Sequence, residues 1–163
     1  MKNDSYKRRL LYLKHNLQEE GKKMDITYND TKKDLPVGQL HDLFISAGWS
    51  DGSENKVMIE KYNIPFINST LVISAWDNEL LVGVVRVLSD KMFRSVIYDL
   101  VILPAYQNQK IGKELLKRCI EHYPDSEWLV QTTNQISEYY KKNGFKESKD
   151  TFLTIACKLF TVK

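Results

Sequence analysis

The sequence predicts a mixed α/β domain, a mostly antiparallel central sheet flanked by helices. Three observations predict it. Apolar runs of strand length alternate with helical repeats along most of the chain, and the order ends in an antiparallel hairpin. Residues 98–121, YDLVILPAYQNQKIGKELLKRCIE, read as a buried strand, a short polar loop and a helix. A chain of 163 residues is long enough for one well-packed domain and too short for two comfortable ones.

Composition narrows the class. Apolar content of 42% and charged content of 28% are ordinary for a soluble globular protein. No apolar run approaches the roughly 18 residues of a membrane span, and the basic N-terminus lacks the apolar core and cleavage site of a signal peptide. A cytoplasmic protein without a membrane partner is expected. Cys119 and Cys157 fall on predicted core faces without metal-ligand spacing, and read as reduced buried thiols. His15, His41 and His122 are scattered and form no cluster with acids or cysteines, so no metal is expected. Residues 1–23 hold seven Lys/Arg against three Asp/Glu, net +4, which leaves the remaining chain at 17 against 18, or −1. The basic balance therefore belongs to an extension, and no nucleic-acid-binding face is indicated.

Taken in order, residues 1–23 form that extension. Tyr6, Leu10, Leu13 and Leu17 make a narrow apolar stripe among Lys7, Arg8, Arg9 and Lys14, and Gly21 closes the helix. Such a stripe suits packing on its own domain or on a second subunit, a homodimer, more than a membrane surface. Residues 24–163 form the single domain. Residues 24–28 alternate as a first strand. Asp34 is expected to cap a helix whose first position is Pro36, with Leu40, Leu43, Phe44 and Ala47 buried and Gly48 closing it. After a turn at 49–52, residues 54–62 read as a second helix ended by Pro65. Residues 71–76 and 80–88 are strands joined by the Asp77-Asn78 turn, and Gly83 marks a bulge or a close backbone approach. Residues 94–103 form the central strand, 128–132 another, 135–143 a helix capped by Gly144, and 152–160 a last strand hairpinned to 145–147.

The central unit carries the chemistry. Pro104 stops the branched apolar run at residues 100–103, because it has no N–H to give. Gly112, Leu115, Leu116 and Cys119 recur at i, i+3, i+4 and i+7, one helical face. The first turn of such a helix has N–H groups without partners and partial positive charge, which suit a pyrophosphate. Gly112 lets backbone approach a ligand, and Lys110 and Lys113 add cationic charge. By spacing alone, an ordinary strand, loop and helix with a solvated lysine turn is as good a reading.

Val101-x-x-Pro104-x-Tyr106-Gln107-x-x-Lys110-Ile111-Gly112-Lys113 resembles the acetyl-CoA loop of the GNAT acetyltransferase superfamily, Gln/Arg-x-x-Gly-x-Gly/Ala. Gln107 and Gly112 match, and Lys110 stands where the pattern has its first glycine. A second block, Asn134 followed by Tyr139-Tyr140-Lys141-Lys142-Asn143-Gly144-Phe145, resembles the family's downstream Asn and aromatic-Tyr-x-x-x-Gly-Phe signature. The resemblance covers residues 24–160. It implies the GNAT fold, acetyl-CoA as co-substrate and a small-molecule amine as acceptor, with an arylalkylamine as one candidate.

Site residues follow from the same resemblance. Val101, Ile102 and Leu103 would offer backbone groups to the pantetheine arm. Gln107, Asn108, Gln109, Lys110, Ile111, Gly112 and Lys113 would cradle the pyrophosphate, and Asn134 would bind the arm through its amide. Tyr140 matches the tyrosine that protonates the coenzyme A sulfur, with its neighbour Tyr139 as the off-by-one alternative. Asp99, a carboxylate beside an apolar run, is the candidate base or water anchor, or else a salt-bridge partner of Arg86 or Arg94. The two helices after the first strand usually cover the acceptor in this family, where Trp49 and Tyr62 would line it or belong to the core. Lys110 keeps open a GNAT-like module that binds acyl-CoA without turnover, and a protein amine is an alternative acceptor.

Overall fold

The structure, a computed structural model, describes residues 25–149. The extension at 1–23, Cys157 and the predicted strand at 152–160 lie outside the described residues. The chain forms two compact units, Met1–Gln131 and Thr132–Lys163.

The first unit is built on strands β1 (Ile26–Asn29), β2 (Leu71–Asp77), β3 (Leu80–Ser89), β4 (Arg94–Ile102) and β5 (Glu127–Val130), which lie side by side in that order. Neighbours run antiparallel except β4 and β5, which are parallel. Parallel neighbours need a long crossover, here the helix Ile111–His122. Among the described residues three helices precede β2: α1 (Val37–Ser46), α2 (Lys56–Glu60) and α3 (Ile64–Ile67); the crossover helix is α4.

Burial in β2 and β3 is nearly continuous, through Leu71, Val72, Ile73 and Ala75 and through Leu81, Val82, Val84, Val85 and Val87. Successive rather than alternate burial means that both faces of these strands are covered. The helices supply Leu40, Leu43 and Phe44 from α1, and Ile111, Leu115, Leu116 and Cys119 from α4. Each fully buried Leu, Ile or Val contributes roughly 1.5–3 kcal/mol, so this layer is the main source of cohesion. Gly83 fits its strand for a steric reason: a Cβ there would stand 2.6 Å from Ile102 Cδ1 and 3.6 Å from Ile111 Cγ2. A bulge lies beside it, where the register passes from Ala75–Gly83 to Trp76–Leu81.

Several local expectations change. Asp34 does not cap α1, because the helix starts at Val37 and Pro36 itself stands at the N-cap. Asp34 Oδ1 instead accepts from Asn63 Nδ2 at 2.7 Å. Ala47 is the half-buried C-cap of α1, followed by Gly48 at φ 76°. The helix expected at 54–62 is shorter, α2 at Lys56–Glu60, and a further short helix, α3, follows it at Ile64–Ile67. Asn55 caps α2 by accepting from Met58 N at 3.0 Å. Pro65 opens α3 rather than ending a helix, since a first-turn residue has no N–H bond to lose.

In the second unit the described helix is α5 (Asn134–Lys141). It closes as expected. Gly144 is left-handed at φ 95°; its N–H goes to Lys141 O and that of Phe145 to Tyr140 O, both at 3.1 Å. This is a Schellman closure, and its usual apolar contact is present as Tyr140 against Phe145, ring centroids 5.5 Å apart. Residues 145–147 are not in a strand.

Candidate active site

β4 and β5 pair only from Arg94–Glu127 to Ile97–Val130, while β4 runs on to Ile102 with β3 still opposite it. The strand is bulged where β5 is left behind: Val87 faces Ile97 and Arg86 faces Asp99, so Tyr98 has no partner. A bulge bends its strand and adds twist. Past Tyr98, then, β4 has a free edge among the described residues. Leu103 gives its N–H to Val82 O at 2.9 Å. Successive peptides point to alternate edges, so Val101 also faces β3, whereas Leu100 and Ile102 face the free edge. Gln107 Nε2 donates to Ile102 O there at 3.2 Å. Of the three residues expected to offer backbone groups, only Ile102 has its peptide on this edge, which it shares with Leu100, a residue the motif did not single out.

The polar loop follows a 3-10 turn, Pro104–Tyr106. Tyr106 is buried and donates its hydroxyl to Asp77 Oδ2 at 2.8 Å. Burial raises its phenol above the ordinary value, and the hydrogen bond and charge of Asp77 add to the effect. Gln107, Asn108, Gln109 and Lys110 are exposed, and Gln109 Nε2 donates to Ala105 O at 3.2 Å. Lys110 is the N-cap of α4, at φ 65° and ψ 4°. The lysine that replaces the pattern's glycine thus adopts the left-handed backbone that glycine favours, at about 1–2 kcal/mol. Ile111, Gly112 and Lys113 follow as the first turn, whose N–H groups have no intrahelical acceptors.

Asp99 is paired. Arg86 Nε donates to Asp99 Oδ2, which settles which of the two arginines it meets. Burial pushes the Asp99 carboxyl above its usual range, and the hydrogen bond and charge of Arg86 pull it only part of the way back. Nearby lies a set of rings centred on Phe44, which makes edge contacts with Trp49, Tyr62 and Phe66 at 5.5, 5.6 and 6.0 Å. Trp49 is 52% exposed and Tyr98 61%. Tyr62 is pushed up to about 12, by burial first and then by the charges of Glu54 and Asp99, so both carboxylates act on one phenol.

Sequence reasoning missed His41 and Glu54. His41 Nε2 lies 2.9 Å from Glu54 Oε2, and Ser50 Oγ donates to Glu54 Oε1 at 2.5 Å. Burial raises the Glu54 carboxyl, but the Ser50 and His41 hydrogen bonds outweigh it and hold the group below its usual range. The two described histidines therefore do meet acids: His122 likewise lies 3.0 Å from Asp30. His41 and Glu54 are 13 residues apart, a separation with no motif behind it. Among the described residues, no group of three or more His, Cys, Asp or Glu is placed to hold a metal ion. No described helix is long and apolar enough to cross a membrane.

The second unit holds the other candidates. Asn134 is exposed at the start of α5. Tyr140 is buried, and burial raises its phenol to about 12, with Tyr139 adding to the effect. Tyr139 is raised to about 12 by burial, and its buried hydroxyl has no hydrogen-bond partner.

The family model for the acetyltransferase (GNAT) domain matches residues 41–161. The chain belongs to the GNAT acetyltransferase family. The uncharacterized N-acetyltransferase ycf52 of Pyropia yezoensis is 30% identical over 132 residues, 76% of this chain and 72% of that protein. Among solved structures, a GNAT-family acetyltransferase of Streptococcus pneumoniae superposes with a TM-score of 0.65 at 21% identity, covering 82% of this chain and 99% of the other. An aminoglycoside acetyltransferase from an uncultured soil metagenomic sample, solved with sisomicin, gives 0.66 at 20%, covering 82% and 97%. These structural likenesses are of fold. This GNAT enzyme carries the free β4 edge, the Lys110 loop and Asp99 on its first unit, and Asn134 and Tyr140 on its second.

Proposed function

We propose that this GNAT N-acetyltransferase moves an acetyl group from acetyl-CoA to a primary amine of a small molecule, an arylalkylamine among the candidates, by direct transfer in a ternary complex. The observation that carries the reading is the free edge of β4 running into a loop that ends on the unpaired N–H groups of α4. An extended amide arm can pair with the peptides of Leu100 and Ile102 as an added strand. A pyrophosphate suits the first turn at Ile111, Gly112 and Lys113, with Lys110 and Lys113 adding charge. On the second unit, Asn134 is the exposed side-chain amide that the family resemblance assigns to cofactor binding. Acetyl-CoA supplies the activated acetyl thioester.

Two residues handle protons. An alkylamine with a pKa near 10.4 costs roughly 4–5 kcal/mol to deprotonate at neutral pH, so a base matters. Of the two carboxylates around Tyr62, burial raises Asp99 and hydrogen bonds lower Glu54. The raised one is the better base. Tyr140, a phenol raised to about 12, holds its proton at neutral pH and is the acid for the leaving sulfur. The test is release of free thiol from acetyl-CoA against a panel running from 2-phenylethylamine and tyramine through diamines to amino sugars. Thermal stabilisation by acetyl-CoA with no thiol released by any amine would make the chain a binding module instead.

A further inference from the structure

Consecutive residues of a regular strand point to opposite faces of the sheet, yet Tyr98 and Asp99 meet the same guanidinium. Arg86 Cζ lies 4.4 Å from the centroid of the Tyr98 ring, while Arg86 Nε donates to Asp99 Oδ2. The bulge explains the convergence: the unpaired Tyr98 puts the alternation out of step, just where Asp99 faces Arg86 across the ladder. Two further contacts fix the guanidinium. Its Nη1 reaches Ser69 Oγ at 3.4 Å, and its Cζ lies 5.6 Å from the centroid of Phe66. Ser69 is itself anchored, its hydroxyl donating to Pro65 O and its carbonyl accepting from Lys33 Nζ, both at 2.6 Å. The Arg86 and Asp99 side chains are 12% and 13% exposed. A pair this withdrawn is a poor source of stability, because desolvation offsets much of the Coulomb attraction. Its place beside the parting of β4 and β5 points to another use.

We propose that Arg86 is a positioning residue for acceptor deprotonation: it aims the Asp99 carboxylate and keeps it ionised where the enzyme works. The inference rests on Asp99 serving as the base. From β3, Asp99 meets Arg86. From the segment between α2 and α3 it faces Tyr62, a neutral phenol that also feels Glu54. On its own strand its neighbour is Tyr98. Arg86 is the positive charge that counters burial. Without it burial acts alone, and Asp99 takes up its proton at higher pH.

The test is the pH dependence of kcat/KM for Arg86→Gln against the unaltered enzyme, using the most reactive amine of the panel so that the amine's own titration cancels in the ratio. The ratio of variant to unaltered enzyme is expected to climb about tenfold or more from the acid to the alkaline end, one unit of displacement. Acetyl-CoA affinity should stay within about twofold. Arg86→Lys keeps the charge but not the planar fork, and should fall in between. A flat ratio makes Arg86 a structural residue and overturns the proposal. If Arg86→Gln does not fold, Arg86→Lys carries the comparison, and a carbon-13 titration of the Asp99 carboxyl in both full chains reads the ionisation directly; coincident titrations overturn the proposal. Asp99→Asn separates the two layers. If it keeps the original acid limb, Asp99 is not the base and both readings fall. If it loses the limb while the Arg86 variants keep it, the role of Arg86 alone falls.

Discussion

Lys110 offers the cleanest perturbation of the cofactor loop. At φ 65° and ψ 4° its Cβ crowds the following peptide, which costs a residue other than glycine about 1–2 kcal/mol. Lys110→Gly removes that cost but frees the unfolded chain, which returns about 0.4–1 kcal/mol. The net expectation is a gain of about 1 kcal/mol, or roughly 2–4 °C in Tm for a chain of this size. Lys110→Ala is the control, because it loses the same ammonium yet keeps the left-handed strain, and it should gain nothing. Thermal melts followed by circular dichroism read the difference. Both variants should weaken acetyl-CoA binding alike and only severalfold, since a solvated charge contact is worth about 1 kcal/mol or less. A glycine variant no more stable than the alanine variant would refute the strain argument and the loop conformation with it.

Other outcomes follow from the same geometry. Tyr140→Phe should lower turnover by about 10²-fold or more in a thiol-release assay, with Tm and acetyl-CoA affinity nearly unchanged; Tyr139→Phe removes a buried, unpartnered hydroxyl and should stabilise the fold by about 1 kcal/mol without slowing turnover. Should Tyr139→Phe be the slow variant, the acid is one residue earlier. Gly112→Asp sets a side chain and a negative charge against the first turn of α4, and calorimetry should show the acetyl-CoA Kd rising at least about tenfold, or 1.4 kcal/mol; an unchanged Kd in a folded variant removes this loop as the pyrophosphate site. Folding lowers the Glu54 carboxyl, so its contribution is present above the unfolded value near 4.3 and is lost as pH falls through the folded one. Urea melts should therefore show the unaltered chain losing stability more steeply than Glu54→Gln between about pH 5 and 3, and parallel slopes would remove the Ser50–Glu54–His41 contacts as the cause.

The elements that the sequence predicted well are those written in neighbouring residues. The repeat through Leu115, Leu116 and Cys119 marks the buried face of α4, and Gly144 marks the end of α5, because a helix face and a helix cap are each decided within a few residues. Even there, Asp34 and Pro65 misled. Asp34 suits a helix start and Pro65 can either stop a helix or open one, and only packing decides which use is made of each.

By itself, then, the sequence determined the strand–loop–helix unit, the Asn134 and Tyr140 block and the family to which they point, since all of these depend on local spacing. Tertiary structure alone decided that Lys110 takes a left-handed backbone, that Ile102 and Leu100 turn their peptides to the free edge of β4, and that Asp99 meets Arg86 rather than Arg94. The reason is register. One unpaired residue at Tyr98 reverses which side chains share a face, and no periodicity in a single strand records where its neighbour slips.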